Sequence, residues 1–203
     1  MNKVGWLYSS KHFYDLGLHL LYGDQYINSY KQVAKLIPKN SSVVDVCCGS
    51  GKLYEHLKNK KVKYIGLDGS KPFIKHLKSK NIDARLVDVV NSSIPTADHI
   101  ILQRSLYQFK DPDKLIKKLL KSTKKRLIIS ESVQNLGDKQ SNFINILIHK
   151  IIPYFVGTNF DDKSFRFTKN EFRKVTDKYK PKYKTISGGK DLVAIITKGN
   201  NPS

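Results

Sequence analysis

The segment from Val43 to Gly51 most constrains the fold, because a short apolar run leads directly into a glycine-rich turn. Three of its first four residues are valines, which are typical of a buried strand. Gly49 and Gly51 permit a tight turn and the close approach of a ligand to the backbone. A dinucleotide-binding loop would have a third glycine where this chain has Tyr54, so the segment predicts a different nucleotide-like ligand.

Short β-branched runs alternate with longer amphipathic stretches, which predicts an open α/β sheet of mainly parallel strands. The predicted strands are Val43–Val46, Val62–Leu67, Ala84–Val87, His99–Leu102, Arg126–Ser130, Tyr183–Ile186 and Leu192–Ile196. The predicted helices are Gln25–Leu36, Lys52–Lys58, Lys71–Lys80 capped by Ser70, Pro112–Ser122 after Asp111, Lys139–Ile152 and Lys169–Tyr179. Gly188 and Gly189 join the last two strands, so we expect a terminal antiparallel hairpin.

Acidic residues follow or end three successive predicted strands, and the carboxyl ends of parallel strands form the ligand-binding edge of such a sheet. Asp45 would repel a pyrophosphate but attract a ligand with an ammonium and a sulfonium group. Asp68 is placed to accept hydrogen bonds from both hydroxyls of a ribose. Asp88 is placed to accept one from an adenine amino group, with Val89 against the ring.

These residues together resemble the class I S-adenosylmethionine-dependent methyltransferases, over roughly Asp24 to Ile196. The loop is most similar to that of the ubiquinone and menaquinone C-methyltransferases and their small-molecule relatives. The resemblance implies a Rossmann-like α/β fold. Its seven-stranded, mostly parallel sheet has helices on both faces and a C-terminal antiparallel hairpin. It also implies that Gly49, Ser50 and Gly51 contact the methionine part of S-adenosylmethionine, Asp68 the ribose and Asp88 the adenine.

The chain departs from that family at two places. Cys47 occupies a position where the family loop commonly has glycine, and Ser105–Phe109 replaces the His-His or His-Phe pair of many quinone enzymes. The predicted cofactor site comprises Asp45, Cys47, Gly49, Ser50, Gly51, Asp68, Gly69, Asp88, Val89, Gln103, Tyr22 and Tyr26. The two tyrosines are predicted to reach the cofactor from an N-terminal lid, with packing within a helix as the alternative.

Methyl transfer from a sulfonium requires no protonated leaving group, so alignment alone can supply much of the rate. If the acceptor needs a base, the candidate catalytic residues are Tyr107, His19 and His149. Glu131 follows the fifth predicted strand, where it would contact either the substrate or nearby loop amides. The only cysteines, Cys47 and Cys48, are adjacent, so we expect neither a disulfide nor a metal site.

The chain has 203 residues, of which 39% are hydrophobic, and it contains no long linker-like segment. We therefore expect a single methyltransferase domain over residues 1–203, with an N-terminal helical lid over 1–40 and a Rossmann-like core over 41–203. The N-terminus lacks the pattern of a secretory signal. The apolar stretch Phe143–Val156 is too short and too often interrupted to span a bilayer. A cytoplasmic protein is predicted.

The formal net charge is +20, supplied almost entirely by lysine. Such a surface either is simply well solvated or attracts an anionic membrane or nucleic acid. The expected methyl acceptor is a small or amphiphilic metabolite, lipid-like molecules included, because no segment is long enough for a separate recognition domain. An RNA or DNA methyltransferase is the first alternative, although the Asn/Asp-Pro-Pro-aromatic motif of base-amine methylation is missing after the fourth strand. A non-catalytic cofactor-binding scaffold is the second.

Overall fold

The computed structural model describes residues 27–133 and 167–199. Within them, seven strands form one sheet in the order β3-β2-β1-β4-β5-β7-β6. The strands are β1 (Ser42–Val46), β2 (Lys63–Asp68), β3 (Ala84–Leu86), β4 (Ala97–Gln103), β5 (Thr123–Ser132), β6 (Lys182–Ile186) and β7 (Asp191–Thr197). β1 to β5 are parallel, whereas β7 is antiparallel to both β5 and β6. The predicted Rossmann-like sheet with a terminal antiparallel hairpin is confirmed.

Helices cover both faces of the sheet, so the central strands are buried on both sides. They are α1 (helical residues 27–35), α2 (Lys52–Leu57), α3 (Lys71–Ser79), α4 (Pro112–Ser122) and α5 (Lys169–Thr176). One apolar cluster joins α1, α2 and α3 to the sheet through Val33, Leu53 and Leu77. The other joins α4 and α5 to the opposite face through Ile116 and Phe172.

The helix starts follow from local sequence in two cases and differ from the prediction in a third. Asp111 caps α4 by accepting a hydrogen bond from the Lys114 amide at 2.9 Å, as the sequence predicts. α5 begins with a Thr168–Glu171 capping box. The prediction that the Ser70 side chain caps α3 is wrong: its hydroxyl is buried and makes no capping bond, while its amide donates to Asp68.

Strand bounds match the sequence pattern closely except in β5. That strand begins at Thr123, three residues before the predicted start, because Thr123 pairs with Ala97 past an irregularity in the register. The exposed, charged Lys124 and Lys125 hide this extension from a hydropathy pattern. The predicted helix Lys139–Ile152 lies outside the described residues. None of the helices in the described ranges is long and apolar enough to cross a membrane.

The end of the predicted N-terminal lid contributes to the core. Val33, Ala34 and Ile37 are almost completely buried against the sheet. Ser29, also fully buried, accepts a hydrogen bond from Gln103 at the end of β4. α1 is therefore placed over the edge where the glycine loop lies, and residues 1–26 of the predicted lid lie outside the described part of the chain.

Candidate functional site

The glycine loop after β1 has left-handed backbone at three positions. Its φ values are 58° at Cys47, 52° at Gly49 and 80° at Gly51. A Cβ on Gly51 would lie 2.5 Å from Leu77 Cδ2, so glycine is required there for space as well as conformation. A Cβ on Gly49 would meet nothing within 4 Å, which leaves its backbone open to a ligand. Cys47 adopts a conformation that costs a non-glycine residue about 1–2 kcal/mol.

The Asp68 carboxylate joins the glycine loop to the turn after β2. Its Oδ2 accepts a hydrogen bond from the Gly49 amide at 2.8 Å, and its Oδ1 accepts one from the Ser70 amide at 2.8 Å. Burial raises the pKa of Asp68, and these amide donors act in the opposite direction. Each carboxylate oxygen can accept more than one hydrogen bond, so the predicted ribose contact is compatible with this anchoring role. The sequence did not indicate the anchoring role.

Asp45 lies within β1, beneath the loop, and is only 3% exposed. The Tyr64 hydroxyl donates to its Oδ2 at 2.8 Å. Burial raises the pKa of Asp45 to about 7, against the lowering effect of the Tyr64 hydrogen bond, and the nearby Asp68 raises it further. Asp45 is therefore almost inaccessible to solvent, so its carboxylate could influence a molecule above the loop mainly through its electric field.

Asp88 and Val89 face different surroundings after β3. Asp88 is exposed, and its carboxylate accepts hydrogen bonds from the Val90 amide at 2.9 Å and the Asn91 side chain at 2.7 Å, which lower its pKa. Val89 packs into the core cluster beneath α4. The apolar side chains exposed beside Asp88 are Leu86 and Val90, at 47% and 49%. Sequence reasoning missed those two surface residues.

Glu131 holds the segment that follows β4 in place through hydrogen bonds. Its Oε1 accepts hydrogen bonds from the Ser105 amide at 2.9 Å and the Leu106 amide at 2.6 Å. Burial raises its pKa to about 8. Of the two roles considered from the sequence, the structure shows the contact with loop amides.

Gln103 and Tyr107 border the same edge. Gln103 is 5% exposed; its Nε2 donates to Ser29 Oγ at 3.1 Å, and its Oε1 is buried without a hydrogen-bond partner among residues 27–133 and 167–199. Tyr107 is half-buried, and burial raises its pKa, with Glu131, Arg104 and Cys47 among the groups that influence it. The structure thus brings the candidate Tyr107 close to the glycine loop and to the end of β5.

A buried ion pair that the sequence pattern did not predict joins β4 to the terminal hairpin. Arg104 Nη2 lies 2.7 Å from Asp191 Oδ2, and Ser187 Oγ donates to the same oxygen at 2.9 Å. Arg104 has a φ of 55° and its amide donates to the Ser130 carbonyl at 2.7 Å. A single arginine directly after an apolar strand is the only local sign of this ion pair. The partner aspartate lies 87 residues farther along the chain, so local sequence does not indicate the pairing.

The remaining candidate residues lie outside the described part of the chain. They are Tyr22, Tyr26, His19 and His149, and their roles stay predictions. His99 is buried in β4, and neither of its ring nitrogens has a hydrogen-bond partner among the described residues. Within residues 27–133 and 167–199, no group of three or more His, Cys, Asp or Glu side chains could hold a metal ion.

These groups meet where β1 lies between β2 and β4, the point at which the strand order reverses direction. Ligands of open α/β sheets bind at this point, outside the carboxyl ends of the strands. The edge combines an open glycine backbone, the anchored Asp68, the buried Asp45 and the buried Gln103 Oε1. This donor and acceptor set suits a cationic ligand that carries hydroxyl groups.

A family model described as "Methionine biosynthesis protein MetW" matches residues 28–153. Among solved structures, magnesium protoporphyrin IX methyltransferase from Synechocystis PCC 6803, with bound S-adenosylhomocysteine, superposes with a TM-score of 0.67 at 16% identity, covering 95% of this chain and 97% of that one. A SAM-dependent methyltransferase from Aquifex aeolicus superposes with a TM-score of 0.59 at 14% identity, covering 85% and 90%. At these identities the likeness establishes a shared fold. No curated protein matches the sequence significantly.

Proposed function

The chain belongs to the MetW family, and we propose that it is an S-adenosylmethionine-dependent methyltransferase that acts on a small or amphiphilic metabolite. The observation that supports this proposal most directly is the position of the Asp68 carboxylate, which the Gly49 and Ser70 amides fix at the end of β2. That position, one strand from an open glycine loop, suits an acceptor for ribose hydroxyls. The S-adenosylhomocysteine bound by the Synechocystis relative supports the choice of cofactor.

The other cofactor contacts are proposed from the same geometry. Gly49, Ser50 and Gly51 would hold the methionine part, Gly69 would flank the ribose, and Asp88 would face the adenine. Asp45 would stabilise the ligand's positive charge from below, because a buried carboxylate interacts strongly across a medium of low dielectric constant. Gln103 Oε1, which is buried and has no partner in the described part of the chain, would accept a hydrogen bond from the ligand.

S-adenosylmethionine supplies a methyl group whose leaving group, a neutral thioether, needs no proton. The protein's contribution is then chiefly to align the acceptor, which can provide about 7–11 kcal/mol at best. Burial raises the pKa of Tyr107, so its hydroxyl stays protonated near neutral pH and serves better as a hydrogen-bond donor than as a base. Tyr107 would therefore orient the acceptor.

The nature of the acceptor is proposed from the protein's surface. The exposed Leu86 and Val90 at the ligand-binding edge provide apolar contact for an amphiphilic molecule. The net charge of +20 would favour peripheral contact with an anionic membrane from which a lipid-like acceptor could be taken. Nucleic acid is the competing acceptor, and a cytoplasmic location remains our prediction.

Transfer of a radioactive methyl group distinguishes these acceptors. The protein is incubated with methyl-tritiated S-adenosylmethionine and with organic-soluble, aqueous small-molecule and nucleic-acid fractions of a cell extract, and an excess of S-adenosylhomocysteine serves as the control. Label that enters an organic or small-molecule fraction and is suppressed by the control supports the proposal. Label confined to nucleic acid would identify the alternative acceptor. If no fraction is labelled although the cofactor binds, the non-catalytic scaffold is favoured.

A further inference from the structure

Tyr64 lies directly beneath the glycine loop, although it is neither in the loop nor at a strand end. It is the second residue of β2, is 7% exposed, and points its hydroxyl toward the loop on the face covered by α1, α2 and α3. The hydroxyl donates to Asp45 Oδ2 at 2.8 Å. A buried tyrosine hydroxyl bonded to a buried carboxylate is a specific arrangement, because either group left unpaired would be strongly destabilising.

Gly66 makes room for this pair. A Cβ at residue 66 would lie 2.8 Å from Cys48 Sγ and 3.2 Å from the Tyr64 hydroxyl oxygen. The Tyr64 hydroxyl and the Cys48 side chain therefore occupy the space above Gly66, next to the loop. The Cys48 amide donates to the Leu67 carbonyl at 3.0 Å, which fixes the loop to β2 at the same level.

We propose that Tyr64 is a positioning residue of the cofactor site, whose hydroxyl holds Asp45 as the buried counter-charge of a cationic ligand. This inference rests on the proposed function and assigns to it a residue that the sequence pattern did not single out. S-adenosylmethionine carries a sulfonium, whereas S-adenosylhomocysteine has a neutral sulfur. A charged Asp45 therefore favours the substrate form of the cofactor over the product form.

The titratable groups around Asp45 determine how its charge depends on pH. Tyr64 and Asp68 face it from β2, and the Cys47 and Cys48 thiols face it from the loop. Burial raises the pKa of both thiols and of Tyr64, so all three stay neutral below pH 9.

Within the described part of the chain, Tyr64 and Asp68 are the side chains whose hydrogen bond or charge shifts the pKa of Asp45. β4 carries His99, whose pKa is lowered to about 4 by burial. α1, α2 and α3 present mainly apolar side chains to this face, together with the ring of Tyr54. Asp68 is the proposed acceptor for the ribose, which both forms of the cofactor contain, so its charge affects the binding of both.

The ligand-free pKa of Asp45 is about 7, because burial outweighs the Tyr64 hydrogen bond. A cationic ligand favours the ionised carboxylate, so binding releases a proton to solvent when the pH is below this pKa. Affinity for S-adenosylmethionine should therefore rise with pH up to about 7 and then level off. Removing the Tyr64 hydroxyl should raise the pH at which the affinity levels off by about one to two pH units. The loss of a hydrogen bond to a charged carboxylate raises its pKa by about that much.

The test is calorimetric titration of the Tyr64→Phe variant with S-adenosylmethionine and S-adenosylhomocysteine between pH 6 and pH 9. We expect a loss of about tenfold or more in S-adenosylmethionine affinity at pH 7, recovery at pH 9, and a smaller change for S-adenosylhomocysteine. Because the ligand's own titration is the same for every variant, differences between variants report the protein. Tyr54→Phe is the matched control, since the Tyr54 ring packs 5.0 Å from that of Tyr64 and its hydroxyl does not bond Asp45.

A carboxyl carbon NMR titration of Asp45 without ligand checks the same link independently, and the Tyr64→Phe variant should show a higher midpoint. An unchanged midpoint, or equal losses for both ligands at every pH, would overturn the role of Tyr64 and leave the proposed function intact. If the wild-type protein bound neither ligand, the proposed function would fail and the cofactor role of Tyr64 with it.

Discussion

The two edges of the sheet place carboxylates in opposite physical environments. At the carboxyl edge, Asp45 and Glu131 are almost fully buried, and burial raises their pKa values to about 7 and about 8. At the amino-terminal edge, Asp98 accepts hydrogen bonds from the Ser42 amide at 2.9 Å and the Ser42 hydroxyl at 3.0 Å. Lys125 lies 3.2 Å away, and these contacts together lower the pKa of Asp98.

The two edges also differ in the groups that their cations contact. At the amino-terminal edge, Lys60 Nζ donates to the carbonyls of Ala34 and Ile37 at the end of α1, and Lys198 Nζ donates to Leu120 near the end of α4. These lysines satisfy helix ends, where cations are favourable. At the carboxyl edge, Arg104 is held by Asp191. The amino-terminal edge therefore holds partly exposed charges whose contacts stabilise the fold, whereas the carboxyl edge holds Asp45 and Glu131 in a buried environment that disfavours their charged forms.

The largest expected difference concerns Asp45 and pH. Its folded-state pKa of about 7 lies above the ordinary value of 3.8, so the folded state binds this proton more tightly than the unfolded state. Its contribution to stability is complete below about pH 4 and is lost as the pH rises to 7, by about 4 kcal/mol in total. Asp45→Asn should therefore gain about that amount relative to the wild type between pH 4 and pH 7.5 in urea unfolding. An unchanged difference across this range would contradict the assigned environment.

Glu131→Ala should destabilise the protein by about 3 kcal/mol, because it leaves the buried amides of Ser105 and Leu106 without an acceptor. Glu131→Gln retains an acceptor oxygen and should lose much less. Thermal unfolding of both variants measures the difference. Equal losses would mean that the charge of Glu131, rather than its hydrogen bonds, fastens the segment after β4.

Asp68→Ala should weaken the binding of S-adenosylmethionine and S-adenosylhomocysteine at least 100-fold, or about 2.8 kcal/mol, because it removes the proposed ribose acceptor and releases the Gly49 amide. Asp83→Ala is the control, since Asp83 is an exposed acid that pairs only with Arg85 among the described contacts. Calorimetry measures both. Equal affinities of Asp68→Ala and the wild type would remove Asp68 from the cofactor site.

Asp98→Asn should show the smallest effect and the opposite pH dependence to Asp45→Asn. The folded-state pKa of Asp98 is lowered, so its contribution is complete above the ordinary value of 3.8 and is lost progressively as the pH falls from that value through the lowered folded-state pKa. We expect a loss of about 1–2 kcal/mol at pH 7, because the carboxylate is partly exposed. Urea unfolding at pH 7 and pH 3.5 should show the difference shrinking in acid; a growing difference would reverse the contrast between the edges.

The sequence predicted the bounds of the strands within a few residues, because β-branched runs and glycine turns are local signals. It also placed Asp68, Gln103 and Glu131 at the correct edge of the sheet, since strand ends can be read from the same pattern. It could not predict that Tyr64 bonds Asp45, because the choice of partner depends on how two strands pair. The buried Arg104–Asp191 ion pair was hidden for the same reason.

Local pattern did not determine the surroundings of particular side chains. Ser70 has the residue type of a helix cap, but the neighbouring Asp68 takes its amide and its hydroxyl is buried. Val89 follows Asp88 in sequence, yet Val89 packs into the core whereas Asp88 is exposed. Side-chain direction in a turn is set by the packing around it.

The most direct test of the central claim is isothermal titration of the wild-type protein with S-adenosylmethionine, S-adenosylhomocysteine and, as the discriminating control, a nicotinamide dinucleotide. The buried Asp45 and the anchored Asp68 predict binding of the first two and no binding of the third, whose pyrophosphate these acids would repel. Binding of the dinucleotide alone, or of none of the three, would contradict the assignment of this edge as a site for S-adenosylmethionine.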